Sequence, residues 1–285
     1  MDSHVWRLVY ATVRSVNRSV PREGRSKRYS DVLIVGMYLW AVWHDRPLCW
    51  SCERVHYTSL FRPKRLPSVS QFCKRIQTAR CQRILEKVYQ RLARTDSPTH
   101  GCFLDARPFP VGPCSKDAQA KPGRVYGGFS RGYKLHELVQ ADGRTAVWSV
   151  MPMNVSELLV ARELLEVGRP RGWVLADAAY DSGPLYEQVA SYGGRLLAIP
   201  RKGAGAGHCP QSEERLSSIF LWRRVGRLMR RKRVHVERVF GNQSSYGGGL
   251  SPLPAWVRTL PRVRRWIGAK LILHHARLAV KTRAA

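Results

Sequence analysis

Trp173-Val174-Leu175-Ala176-Asp177-Ala178-Ala179-Tyr180-Asp181-Ser182 decides how the rest of the chain is read. Four apolar residues are too few for a helix, and their abrupt end at a carboxylate predicts a short buried strand closing at Asp177. Downstream, the spacing predicts a helix over Gly183 to Tyr192 and another strand over Arg195 to Ile199. Upstream, Cys102-Phe103-Leu104-Asp105 opens a first strand, and Ser156 to Val167 carries Leu158, Leu159, Leu164 and Leu165 at helical spacing. Between them, Lys134 to Gln140 and Thr145 to Val150 alternate as strands around Ala141-Asp142-Gly143-Arg144, where Asp-Gly is a strong hairpin signal. The expected order is three strands, a helix, a strand, a helix, a strand and then further helices, which is an α/β class with a mixed sheet flanked by helices.

Residues 1–98 read differently, as an all-helical domain, with Asp96-Ser97-Pro98-Thr99 as linker before a second domain over 99–285. Val5, Leu8, Val9, Val13, Val16 and Val20 recur at helical spacing until Pro21 and the basic segment Arg22 to Arg28. Ser30 or Asp31 caps a helix over Val32 to Trp43, the longest apolar run of the chain. That run is too short to span a bilayer, which takes roughly 20 residues, and reads as a core helix. Ser68-Val69-Ser70-Gln71 has capping-box spacing, with Val69, Phe72, Cys73 and Ile76 lining one face. A further helix turns Cys81, Ile84, Leu85, Val88 and Leu92 inward, with Arg80, Arg83 and Arg91 available outward. The two helices around Gln77-Thr78 fit a helix-turn-helix that reads DNA, and equally a plain helical bundle.

Composition narrows the partners. The 285 residues hold 49 Lys+Arg against 20 Asp+Glu, a net charge of +29, which favours a polyanion and disfavours a neutral small-molecule substrate. The 44% hydrophobic content is enough for a real core. No secretory signal is visible at Met1-Asp2-Ser3-His4, so a cytoplasmic, nucleoid-associated protein is expected, with no membrane contact. Seven cysteines at scattered spacings fit reduced thiols, and Cys49-Trp50-Ser51-Cys52 lacks a second zinc-finger half, so it is read as packing. Gly203, Gly205 and Gly207 mark a loop.

From Leu221 to the end there are sixteen Lys+Arg and one carboxylate, Glu237. That bias suits a DNA-facing helix, with Arg230, Arg231, Lys232, Arg233 and Arg238 as candidate contacts. Asp105 and Asp177, both at strand ends, could converge with Glu237 approaching on a packed helix, since ligand sites in layered α/β folds gather at strand ends. Three carboxylates suit hard cations such as Mg2+, which take oxygen ligands and promote phosphodiester cleavage. Each also has a plainer role: Asp105 ends a strand, Asp177 or Asp181 caps the next helix, and Glu237 pairs with Arg233 one turn away.

Five segments carry a resemblance: Phe103-Leu104-Asp105, Gly132-Tyr133-Lys134-Leu135-His136, Met151-Pro152-Met153-Asn154-Val155-Ser156-Glu157, Ala176-Asp177-Ala178-Ala179-Tyr180-Asp181-Ser182, and Arg233-Val234-His235-Val236-Glu237-Arg238-Val239-Phe240. Together they resemble the DDE transposases of bacterial insertion sequences, most specifically in D-x-x-Y-D-S followed by R-x3-E. The resemblance implies a ribonuclease-H-like catalytic domain with Asp105, Asp177 and Glu237 as catalytic and metal-binding triad. It also implies Mg2+-dependent (or Mn2+-dependent) cutting at transposon ends and strand transfer into target DNA. Double-stranded DNA is then the partner, and joining two ends suggests a homodimer on it. Two flanking positions depart from the pattern: Arg230 stands where the family has Tyr, and Ser244 where it has Lys. A catalytically inactive DNA-binding relic and a nuclease on the same fold share this composition. Mg2+-dependent nicking separates the first, and RNA against DNA cleavage the second.

Overall fold

The structure is a computed structural model that describes residues 3–21, 28–94, 101–125, 127–201, 212–245, 249–250 and 252–284, without the side chains of 229, 230, 232, 233, 235, 236, 245, 283 and 284. The chain forms two compact units. The first comprises Met1–Arg94, Gln243–Leu250 and Arg265–Ala285, the second Thr95–Asn242 and Ser251–Arg264.

The second unit is built on one six-stranded sheet: β1 (Gly101–Pro110), β2 (Lys121–Val125), β3 (Gly128–Gln140), β4 (Thr145–Pro152), β5 (Trp173–Ala176) and β6 (Arg195–Ala198). β1 is the junction, antiparallel to β3 on one side and parallel to β5 on the other, with β6 parallel beyond β5. β4 runs antiparallel along residues 133–139 of β3, and β2 along residues 128–132. Helix α5 (Glu157–Gly168) connects β4 to β5, and α6 (Gly183–Ser191) connects β5 to β6. Three antiparallel strands followed by two parallel ones, each reached through a helix, is the ribonuclease-H-like sheet, with β2 added.

Local chemistry sets these boundaries. The β3–β4 turn closes through Gln140 N–H to Arg144 O at 2.7 Å, with Gly143 at φ 87° and the Asp142 carboxylate accepting from the Arg144 amide at 3.0 Å. Strand alternation then sorts two cores. Leu104, Leu138, Val174, Ala176, Leu196 and Ala198 point to one face, against Val160, Ala161, Leu164 and Leu165 of α5 and Leu185, Tyr186 and Val189 of α6. Phe103, Val139, Leu175 and Leu197 point to the other, against Val239 of the long helix α7 (Glu213–Ser245), with Leu221 and Phe240 beside it. Burying each such side chain contributes about 1.5–3 kcal/mol.

β2 was not expected from the sequence. Lys121-Pro122-Gly123-Arg124-Val125 has no apolar alternation, because the strand is largely exposed. Its position rests instead on close backbone approach, since a Cβ at Gly123 would lie 2.4 Å from Met153 Cβ.

In the first unit, α1 (Ser3–Ser19), α2 (Asp31–Trp43), α3 (Val69–Ile76) and α4 (Ala79–Ala93) pack around Trp6 and Trp40, whose rings meet edge-on at 4.7 Å. Ser30 caps α2, Ser68 and Gln71 form the capping box of α3, and Thr78 caps α4. Every residue of α2 from Ile34 to Trp43 is buried, and no helix among the described residues is long and apolar enough to cross a membrane.

Several expectations are corrected. Arg80, expected outward, is 3% exposed. Its Nε donates to Asp31 at 2.7 Å, and its other nitrogens donate to the carbonyls of Val20 and Asn17 and to Asn17 Oδ1, so it binds α4 to the ends of α1 and α2. A guanidinium has donors enough to satisfy buried carbonyls that no apolar residue could satisfy. The C-x-x-C is not core packing: Cys49 is exposed and Cys52 half-buried, on a short 3₁₀ turn. The last helix, α8 (Leu260–Ala284), was assigned to the catalytic domain, yet its residues from Arg265 onward belong to the first unit. There Lys270 pairs with Asp45, and the His275 ring lies 5.2 Å from Tyr89. An apolar helix stripe declares that it will be buried, not which core it completes. The 98/99 boundary, Arg22 to Lys27 and the Gly203 to Gly207 loop lie outside the described residues.

Candidate active site

β1 and β5 run in parallel register through Gly101↔Trp173, Cys102↔Val174, Phe103↔Leu175 and Leu104↔Ala176. The next residue on each chain is the expected carboxylate, Asp105 on one and Asp177 on the other. They therefore stand side by side where neighbouring strands are about 4.8 Å apart. Both are half-buried. Asp105 accepts from the Ala106 amide at 2.8 Å, and Asp177 from the Ala179 amide at 2.8 Å. By alternation they share the face of Phe103 and Leu175, the one covered by Val239 of α7.

The two aspartates of D-x-x-Y-D-S separate in role. Asp177 caps the 3₁₀ turn Ala178–Tyr180 rather than the helix at Gly183, and remains half-exposed. Asp181 caps nothing; its carboxylate takes Arg215 Nε at 2.8 Å and Nη2 at 2.9 Å, the Arg201 amide at 3.0 Å and Tyr186 OH at 3.2 Å. Burial pushes the Asp181 carboxyl up, but these donors more than offset it and leave its pKa below the ordinary value.

Glu237 is exposed on α7, two residues before Val239. Among the described residues no three His, Cys, Asp or Glu side chains lie close enough to hold a metal ion. The β1–β5 register sets Asp105 and Asp177 side by side, and Glu237 lies on the helix that covers their face. Two other charged groups, absent from the sequence reading, occupy the same face. Glu137 lies directly opposite Asp105 in the β1–β3 register, fully buried, accepting from Thr145 Oγ1 at 2.7 Å. Arg107, two residues after Asp105, places its guanidinium 5.1 Å from the Phe109 ring and 5.3 Å from the Phe240 ring. Its Nη1 donates to the Phe240 carbonyl at 3.0 Å. Burial pulls the Arg107 guanidinium below its ordinary pKa, opposed by the carboxylates of Glu137 and Asp105. Only the β1–β3 register could have disclosed these two.

The Gly132 to His136 segment works elsewhere. Tyr133 OH donates to Asp117 at 2.7 Å, Lys134 pairs with Glu157 of α5, and His136 lies on the α5 side of the sheet, away from Asp105. Burial pushes His136 down to about 4, so its ring is neutral at pH 7, and neither ring nitrogen has a partner among the described residues. Along α7, Arg224, Arg227, Arg231 and Arg238 are exposed together with Phe220 and Leu228. The side chains of Arg230, Lys232 and Arg233 lie outside the described ones, so an Arg233–Glu237 pair is not described. A cavity of about 420 Å³ opens at the other end of the sheet, around Arg171, Trp173 and Arg195, away from the carboxylates.

A solved structure similar to this chain is the piggyBac transposase synaptic complex with hairpin DNA, at 12% identity and a TM-score of 0.38, covering 71% of this chain. The chain spans about half of that protein, 51%. No curated protein matches the chain. The family described as "Transposase DDE domain" matches residues 96–259, more than half of the chain and the whole of the sheet with Asp105, Asp177 and Glu237, and the chain belongs to that family.

Proposed function

We propose that this chain is a DNA transposase that cuts phosphodiester bonds at transposon ends and joins the freed ends to target DNA. The observation that carries the reading is the parallel register that sets Asp105 beside Asp177 on the face covered by α7. The pair offers carboxylate oxygens, the donor type that Mg2+ or Mn2+ prefers, and both remain half-exposed, so the residues fit a divalent cation. A cation bound there would supply positive charge to stabilise the attacking and leaving oxygens of the phosphodiester. Asp105 and Asp177 would hold it from the sheet, with Glu237 of α7 as third ligand. Arg231 and Arg238, with Arg230, Lys232 and Arg233, attract and align the DNA backbone, and α3–α4 contributes a helix-turn-helix contact. Two ends brought together call for a homodimer on DNA.

A second reading, a DNA-binding relative without activity, has two observations in its favour: among the described residues no three His, Cys, Asp or Glu side chains are grouped to hold a metal ion, and Arg230 and Ser244 replace the family's Tyr and Lys. One experiment separates them, strand cleavage and transfer on DNA carrying the element's own ends with Mg2+, Mn2+ or EDTA. Metal-dependent products support the transposase; none with either metal, despite DNA binding, supports the relic.

A further inference from the structure

We propose that Arg107 is a positioning residue, the link that sets the Glu237-bearing turn of α7 against the Asp105 strand; the inference rests on the transposase reading. Phe240 is one helical turn beyond Glu237, and the Phe240 carbonyl accepts from Arg107 Nη1 at 3.0 Å. Arg107 is in turn two residues along β1 from Asp105, on the same face. One side chain therefore spans the two elements that must cooperate. Its fit is specific to arginine: a planar guanidinium 5.1 Å from one phenylalanine ring and 5.3 Å from another, while donating to a carbonyl. Val239, the residue before Phe240, packs with Phe103 and Leu175, so an apolar contact and a charged one hold the same turn.

The charge has a second use. Asp105 and Glu137 are directly opposed across β1 and β3, an arrangement that repels when both are ionised. Arg107 is the cation of that face that attracts both. It thus offsets the repulsion between them while holding the turn of α7 that carries Glu237. The α7 anchor at the opposite end is Arg215 on Asp181, so the 33-residue helix is held by an arginine near each end of its sheet contact.

The test uses the full chain with Arg107→Ala and Arg107→Lys, and Arg171→Ala at the opposite end of the sheet as control. Hydrogen exchange is read on the amides of 238–242, and the Mn2+ concentration giving half-maximal DNA cleavage is read separately. Arg107→Ala should speed exchange in that turn by roughly tenfold with the other strands unchanged. It should also raise the half-maximal Mn2+ concentration by about tenfold with DNA affinity unchanged, and Arg107→Lys should recover only part of each effect. Unchanged exchange overturns the anchor. Faster exchange with an unchanged Mn2+ midpoint makes Arg107 merely structural and also overturns the proposal. Should Arg107→Ala not fold, Phe240→Leu, which removes one ring and keeps the guanidinium, should shift both readouts in the same direction, and no shift overturns it. Wild-type protein that cuts no DNA with either metal overturns the functional reading itself, an outcome visible before any substitution is made.

Discussion

Asp177 and Asp181 stand four residues apart in one motif, and their surroundings give them opposite work. Asp177 has one backbone donor at 2.8 Å and remains half-exposed, so it can exchange ligands. Replacing it by Asn should abolish metal-dependent cleavage while DNA affinity holds or rises, because an amide is a poor ligand for a hard cation and the lost charge was repelling phosphate. Cleavage assays beside binding titrations check this, and undiminished cutting removes Asp177 from the site. Asp181 is saturated by Arg215, the Arg201 amide and Tyr186. Its folded pKa is depressed, so its stabilisation is present above the unfolded value of about 3.9 and is lost as pH falls through the folded one. Wild type should therefore lose melting temperature as pH falls below about 4, and Asp181→Asn should melt lower at pH 7 with a shallower acid loss. Equal acid slopes in both proteins contradict the assignment.

At the scale of elements, two arginines do what apolar packing cannot. Arg80 gathers the C-terminal end of α1, the first turn of α2 and the start of α4 around one guanidinium. Arg80→Ala leaves Asp31 and several carbonyls buried without it, and should cost about 3–5 kcal/mol in the first unit, read by denaturant unfolding. Arg80→Lys should recover little, because an ammonium cannot reach the same set of acceptors. A loss under about 1 kcal/mol would mean water replaces the guanidinium freely. In α7 the same chemistry works on a helix whose other face is basic: the inward residues Val239 and Leu221 meet the sheet, and Arg224, Arg227, Arg231 and Arg238 stay exposed.

For the whole molecule, the charge of +29 attracts a polyanion at long range, and on the transposase reading that polyanion is DNA. Log affinity should fall linearly with log salt, by about 0.9 per phosphate neutralised. Substituting Gln for Arg230, Arg231 and Lys232 together should flatten that slope, and for Arg171 and Arg195 at the far end of the sheet should not. Titrations at several salt concentrations decide it. A slope that ignores the first set and follows the second moves the DNA path to the opposite end of the sheet.

Much of this was legible in the residues alone, where the cause is local. The Asp-Gly hairpin, the Ser68–Gln71 capping box, the cap at Ser30 and the strand ending at Asp177 all depend on interactions within a few residues, so spacing reports them. The two aspartates became neighbours because the β1–β5 ladder ends at Leu104↔Ala176, one residue before each carboxylate; Asp105 does not end its strand as the residues suggest, since β1 runs on to Pro110 against β3. Tertiary structure decided whatever depends on register or on which face of a helix turns inward. Glu137 faces Asp105 only through the β1–β3 pairing, Arg107 meets Phe240 across 133 residues of chain, and Arg80 turns inward because three helix ends converge on it. α8 joined the other unit because its apolar stripe fits whichever core is short of one. Glu237 follows the same rule: its place on α7 follows from the sequence, but its depth over the sheet depends on how a long helix packs, and a few degrees of rotation or an ångström of slide moves a carboxylate in or out of reach of a metal.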